Sequence, residues 1–192
     1  MKIYHSSNVI VKYPDVQHSR EYLDFGRGFY LTTLHEQATR YAQRFKRRGQ
    51  QAWLNTYELS WEERSWNIKR FESYDKLWLD FVAQCREGQD TTRYDMVIGG
   101  IANDRVIITL DRYFAGEISQ DEALGLLRYE KPNIQYCIRS ERMLQECLTY
   151  IYYNSETANL IEEGVADLHC RSDKYLAEEV WMEHTEYKEL AH

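Results

Sequence analysis

Few residues in this sequence have the type and spacing to do chemistry. The stretch GRGFYLTT (26–33) is the first to weigh, with two glycines one residue apart ahead of an aromatic pair. Paired glycines let a backbone close around a phosphate. A Walker loop, however, needs Gly-Lys-Ser or Gly-Lys-Thr next, and a dinucleotide fingerprint needs a third glycine opening a helix after a strand. Phe29, Tyr30 and Leu31 follow instead, so neither phosphate cradle is expected. Taken for its backbone alone, the stretch is a turn that leads Phe29 to Leu31 into a strand, with Gly28 expected at positive φ.

Metal and nucleophile chemistry have less to work with. His5, His18 and His35 lack HExxH or comparable ligand spacing, and His169 and His184 fall on expected helix surfaces. No metal is expected. No GxSxG elbow surrounds a serine, and the adjacency of His169 and Cys170 in sequence does not make a catalytic pair. Cys85, Cys137, Cys147 and Cys170 are widely spaced with no CxxC. That pattern predicts reduced, mostly buried thiols rather than a zinc site or a disulfide framework.

The elements that must position these residues can be sketched from periodicity and caps. KIYH (2–5) is a strand. Thr33 and Glu36 have capping-box spacing ahead of LHEQATRYAQRFKRR (34–48), a helix that stops at Gly49. AWLNTYEL (52–59) alternates as a strand, YDKLWLDFVAQCRE (74–87) has helical apolar spacing up to Gly88, and YDMVIGGI (94–101) is a buried strand. Helices are expected in NDRVIITLDRYFAG (103–116) and, behind a Ser119/Glu122 capping box, in SQDEALGLLRYE (119–130), stopped by Pro132. IQYCI (134–138) is a strand, and Ser140 caps a helix ERMLQECLTYIYY (141–153). Two further helices follow, with a hinge at Gly164 and a cap at Ser172. Strands scattered irregularly among helices imply an α+β class rather than a βαβ series.

Three separated pieces, YHSS (4–7), GRGFYLTTLHEQATRYA (26–42) and NIQYCI (133–138), in this order resemble the histidine, tyrosine, glutamate class of ADP-ribosyltransferases, the class of diphtheria toxin and the poly(ADP-ribose) polymerases. In that family a His-Gly-Ser/Thr motif, a Gly-x-Gly-x-Tyr turn with a second Tyr on the next helix, and a Glu on a late strand surround NAD. The middle segment 94–133 is similar to a functionally unassigned bacterial branch of the superfamily. The resemblance covers about residues 1–150 and is most specific from glycine pair to tyrosine.

The resemblance implies roles residue by residue. His5 matches the histidine that bonds a ribose hydroxyl of NAD, with Ser6 and Ser7 completing its motif. Gly28 closes the turn, Tyr30 matches the tyrosine stacked on nicotinamide, and Tyr41 matches the aromatic on the other side of that ring. Stacking of this kind contributes roughly 1–3 kcal/mol per ring. By itself, Tyr41 reads as an ordinary half-buried helix tyrosine. Arg20 could meet the NAD pyrophosphate through a bidentate contact or be a surface charge. Three positions depart from the pattern: Ser6 stands where the family has glycine, Ala38 where the polymerases carry a hydroxyl, and Gln135 where the catalytic glutamate belongs.

The Gln135 departure weighs most. Breaking the bond between nicotinamide and ribose develops positive charge on the sugar, which a carboxylate stabilises and a carboxamide does not. At about 4 Å and an effective dielectric near 20, the missing charge is worth on the order of 4 kcal/mol, or roughly three powers of ten in rate. Glu130 and Asp104 are the acidic residues that could restore it, or they are a cap and a surface charge.

The resemblance implies an ADP-ribosyltransferase-like α+β fold of two packed sheets with flanking helices over residues 1–153, with an acidic helical extension over 154–192. The implied function is NAD-dependent mono-ADP-ribosyl transfer to a macromolecule, protein or nucleic acid, in a bacterial toxin with an antitoxin partner or in a defence system. A module that holds NAD or ADP-ribose without turnover, and an NAD glycohydrolase, are the alternatives. Composition agrees with a chain able to bury one substantial core: 192 residues, 43% hydrophobic, 14% aromatic. No apolar run is long enough to span a membrane and the start lacks a signal-peptide pattern, so the cytosol is expected. Of the 24 Lys and Arg, only 4 lie beyond residue 139, against 12 of the 31 Asp and Glu. The acidity therefore sits in the tail, which argues against a general nucleic-acid surface there.

Overall fold

The computed structural model describes residues 1–154, apart from residues 91, 102, 103, 129 and 131. The helices expected beyond residue 155 lie outside the described residues. The chain forms β1 (Lys2–Ser7), β2 (Phe29–Leu31), α1 (His35–Arg47), β3 (Trp53–Leu59), a 3-10 turn, β4 (Ile68–Arg70), α2 (Lys76–Arg86), β5 (Met96–Ile101), α3 (Asp104–Phe114), α4 (Gln120–Leu127), β6 (Asn133–Ile138), α5 (Glu141–Cys147) and β7 (Leu148–Asn154). The class is α+β, with two sheets.

One sheet is antiparallel, in the order β1-β3-β7; the other, β2-β6-β5-β4, is antiparallel except for the parallel pair β4 and β5. Reciprocal backbone bonds between Tyr4 and Thr32, 2.9 and 3.0 Å, join β1 to the end of β2 and so tie the sheets together. Strand alternation divides the core. Met96, Ile98, Ile138, Phe29 and Leu31 pack toward Ile3 and Tyr57 of the first sheet, while Val97 and Cys137 pack on the other side with Trp78, Val82, Leu110 and Leu127. The central strand β5 is covered on both faces, which is why it is a continuous apolar run.

Local signals account for most helix ends. Ser119 and Glu122 form the expected capping box, and Asp75 caps α2 by accepting from the Trp78 N–H at 2.9 Å. Gly49, Gly88 and Gly116 take positive φ just past α1, α2 and α3.

Two expectations are corrected. Thr33 and Glu36 form no capping box. Leu34 is the N-cap of α1 without a side-chain bond, and Thr32 does the local work, accepting from the Leu34 N–H at 3.1 Å and donating to Gln37. The helix from Ser140 also stops at Cys147 rather than running to residue 153. LTYIYYN is the strand β7, rich in the β-branched and aromatic residues that favour a pleated surface.

Candidate functional site

The site expected around the glycine pair is built at the seam of the two sheets. Gly26 carries positive φ (+70°), but Gly28 does not. Gly28 is glycine because a Cβ there would lie 2.4 Å from Cys137 Sγ and 2.9 Å from the Ile138 carbonyl. The expected positive φ at Gly28 is thus replaced by a packing constraint: β2 can sit on β6 only where this side chain is missing. The Gly28 N–H donates to Ser19 Oγ at 3.0 Å, holding the preceding loop.

The turn before β2 clamps Tyr30. Its hydroxyl donates to the Gly26 carbonyl at 2.7 Å and accepts from the Phe25 N–H at 3.1 Å, while its ring lies nearly parallel to Phe25 with centroids 6.5 Å apart. Burial, followed by the proximity of Cys137 and Asp24, raises the phenol far above its ordinary pKa, so it remains a donor. With both hydrogen bonds of the hydroxyl committed within the chain, what remains for a ligand is the ring.

His5 meets Tyr30 from the other sheet. Its Nδ1 lies 2.9 Å from the Tyr30 carbonyl oxygen and its ring packs on Phe29 at 4.4 Å. A carbonyl only accepts, so Nδ1 carries the proton. Burial lowers the imidazole pKa, outweighing the bond to Tyr30 that raises it. The result is a neutral ring whose Nε2 lone pair has no partner among the described residues and can accept from a hydroxyl.

Gln135 is reached through register. Tyr30 pairs with Cys137 across β2 and β6, so Gln135, two residues back, shares the Tyr30 face as its diagonal neighbour, a step of roughly 7–8 Å between such pairs. Gln135 is partly buried and its carboxamide makes no hydrogen bond among the described residues. Tyr30 and Gln135 thus share one face of their sheet, while His5 reaches the Tyr30 backbone from the other sheet with its ring on Phe29, on the opposite face of β2.

The remaining candidates are more dispersed. Ser6 lies in extended strand, where its Cβ fits, and its hydroxyl donates to the Ala38 carbonyl of α1, so only its backbone is available to a ligand. Ala38 is buried beneath it. Ser7 Oγ accepts from the Val9 N–H at 3.3 Å. Arg20 is exposed in the loop whose Ser19 holds Gly28. Tyr41, 41% exposed, has Phe45 as its ring neighbour and the Arg44 guanidinium 4.5 Å over its face; it has no ring contact with Tyr30. Glu130 faces Arg105 at 3.6 Å.

Among the described residues, the cysteines offer no exposed thiolate. Cys85, Cys137 and Cys147 are buried and unbridged, and burial pushes the Cys137 thiol up to about 12 and raises the other two. Sequence reasoning missed two buried ion pairs that brace the turn before β2. Arg139 binds Asp90 and the Thr92 hydroxyl, and Arg86 binds Asp24 at 2.7 Å. Arg139 and Asp90 line a cleft of about 300 Å³ with Gly26, Tyr22 and Cys85. Their partners are 49 and 62 positions apart in the chain, so no local pattern announces them.

No helix among the described residues is long and apolar enough to cross a membrane. No curated protein and no solved structure matches the chain. A family model described as "Protein of unknown function (DUF3990)" matches residues 1–150, which span both sheets and the whole seam, and the chain belongs to that family.

Proposed function

We propose that this protein is an NAD-dependent mono-ADP-ribosyltransferase, with a two-sheet frame of the ADP-ribosyltransferase type. The observation that carries the reading is the clamped Tyr30 ring, with Gln135 diagonal to it on one sheet face and neutral His5 braced on its carbonyl. A ring fixed through its own hydroxyl is preorganised for stacking, because little conformational freedom remains to be lost on binding.

In this reading Tyr30 packs against nicotinamide, Tyr41 closes from α1, and His5 Nε2 accepts from a ribose hydroxyl. Gln135 bonds the ribose next to the reacting carbon. The bond from that carbon to the nicotinamide nitrogen breaks with its electron pair leaving on nicotinamide. The acceptor's nucleophile then bonds the carbon and releases its proton. Gln135 orients the sugar without the charge that speeds this step, so a slow enzyme placing one ADP-ribose per site is expected. A cellular role as a bacterial toxin held by an antitoxin, or in defence, rests on the family resemblance alone.

The missing charge at Gln135 favours a second reading, a module that binds NAD or ADP-ribose without turnover. Purified protein, NAD labelled in its ADP-ribose part and a cell lysate separate the outcomes. Label on macromolecules that is lost in Tyr30→Ala supports the transferase. Nicotinamide release without transferred label indicates a glycohydrolase, and binding without either product indicates the module.

A further inference from the structure

We propose that the solvent face of α1 is a docking surface for single-stranded nucleic acid, which would make nucleic acid the acceptor; the acceptor role rests on the transferase reading above, the docking surface does not. Nine residues, 40–48, hold Arg40, Arg44, Lys46, Arg47 and Arg48 and no acid. Residues 1–154 as a whole are balanced, with 21 Lys and Arg against 21 Asp and Glu, so this concentration is local rather than a share of a basic surface.

Helical spacing sorts the charges. Arg40, Arg44, Arg47 and Arg48 stand at i, i+4, i+7 and i+8, one stripe opposite the buried Ala38 and Ala42. Arg40, Lys46, Arg47 and Arg48 are exposed, and none has a carboxylate partner among the described residues. Favourable interaction with the helix dipole accounts for cations in the last turn but not for Arg40, and like charges at i, i+4 destabilise a helix. An anionic partner removes that cost.

Geometry selects the kind of anion. Steps of four residues repeat every ~6 Å along the helix axis, close to the phosphate step of an extended single strand. Tyr41 lies one residue past Arg40 and one turn before Arg44, at the edge of the stripe, with Arg44 over its ring. A strand held on the stripe therefore runs up to the residue proposed to close over nicotinamide, where an acceptor has to be.

The test uses the full chain and a fluorescein-labelled single-stranded RNA of mixed sequence, followed by anisotropy against salt. Four phosphate contacts predict a log–log salt slope of about −3. Arg40→Gln/Arg47→Gln/Arg48→Gln should bring it near −1 and weaken binding roughly a hundredfold at 0.1 M salt. Absence of RNA binding, the result expected if an acidic segment such as 155–192 occupies the stripe, would overturn the proposal. So would an unchanged slope in the triple variant, or displacement of RNA by polyglutamate at equal charge. NAD binding is read separately by calorimetry: RNA binding lost in the triple variant supports the docking surface whether or not NAD binds, while absence of NAD binding removes the transferase reading instead.

Discussion

The imidazole Nδ1 of His5 lies 2.9 Å from the backbone carbonyl of Tyr30, joining β1 of one sheet to β2 of the other. Because burial lowers the His5 pKa in the folded protein, the unfolded chain takes up a proton near pH 6.5 that the folded chain refuses. This contribution to stability is complete above the unfolded value and is lost as pH falls from about 6.5 toward the folded value, at up to ~1.4 kcal/mol per pH unit. Urea midpoints measured down this window should fall for the wild type, and His5→Gln should flatten that fall. An equal slope in both proteins would mean that His5 is protonated in the fold.

Gly28→Ala should destabilise the protein by roughly 1–3 kcal/mol through overpacking, since the new Cβ meets Cys137 Sγ and the Ile138 carbonyl. Placed in a Cys137→Ala background, the same change should cost less, because the closer of the two contacts is gone. Identical costs in the two backgrounds would show that the backbone contact alone decides.

Tyr30→Phe separates the two halves of that residue. It keeps the ring but strips the partner from the Phe25 N–H and the Gly26 carbonyl, a loss of about 1–3 kcal/mol for buried groups left unsatisfied. Thermal unfolding should record the loss, while NAD affinity falls less than in Tyr30→Ala. Equal losses of affinity would place the ligand contact on the hydroxyl rather than the ring.

Asp90 is held ionised behind the turn before β2: burial alone would raise its pKa, and the bonds from Thr92 and Arg139 lower it overall. Its stabilisation is present above the ordinary carboxylate value and disappears as pH drops through the lowered folded one. Asp90→Asn leaves Arg139 with a buried, uncompensated charge, so a loss of about 3 kcal/mol is expected in denaturant unfolding at neutral pH. A loss within experimental error would mean that Arg139 finds water instead.

How much of this was legible in the sequence depended on the range of the interaction. Ser119 with Glu122, and the glycines after α1 and α2, are contacts within a turn, and each signal was readable. β7 was not, because LTYIYYN follows a capped helix without a break and becomes a strand only by pairing with β3, nearly a hundred residues earlier. β4 was missed because three residues at a sheet edge have no period to detect. Gly28 was identified as special for the wrong local reason, since its constraint is the sulfur of Cys137. The trio His5, Tyr30 and Gln135 came from motif resemblance; the common face of Tyr30 and Gln135 follows from strand register and the His5 contact from the joining of two sheets, which no composition or spacing rule supplies.

The central claim is that NAD reacts beside Gln135, and the most direct measurement compares nicotinamide release from NAD by the wild type and by Gln135→Glu. The account predicts slow release by the wild type and an increase of up to roughly a thousandfold in the variant, set by about 4 kcal/mol of added charge stabilisation. Equal rates in the two proteins, with NAD bound by both, would contradict the placement of Gln135 at the reacting sugar.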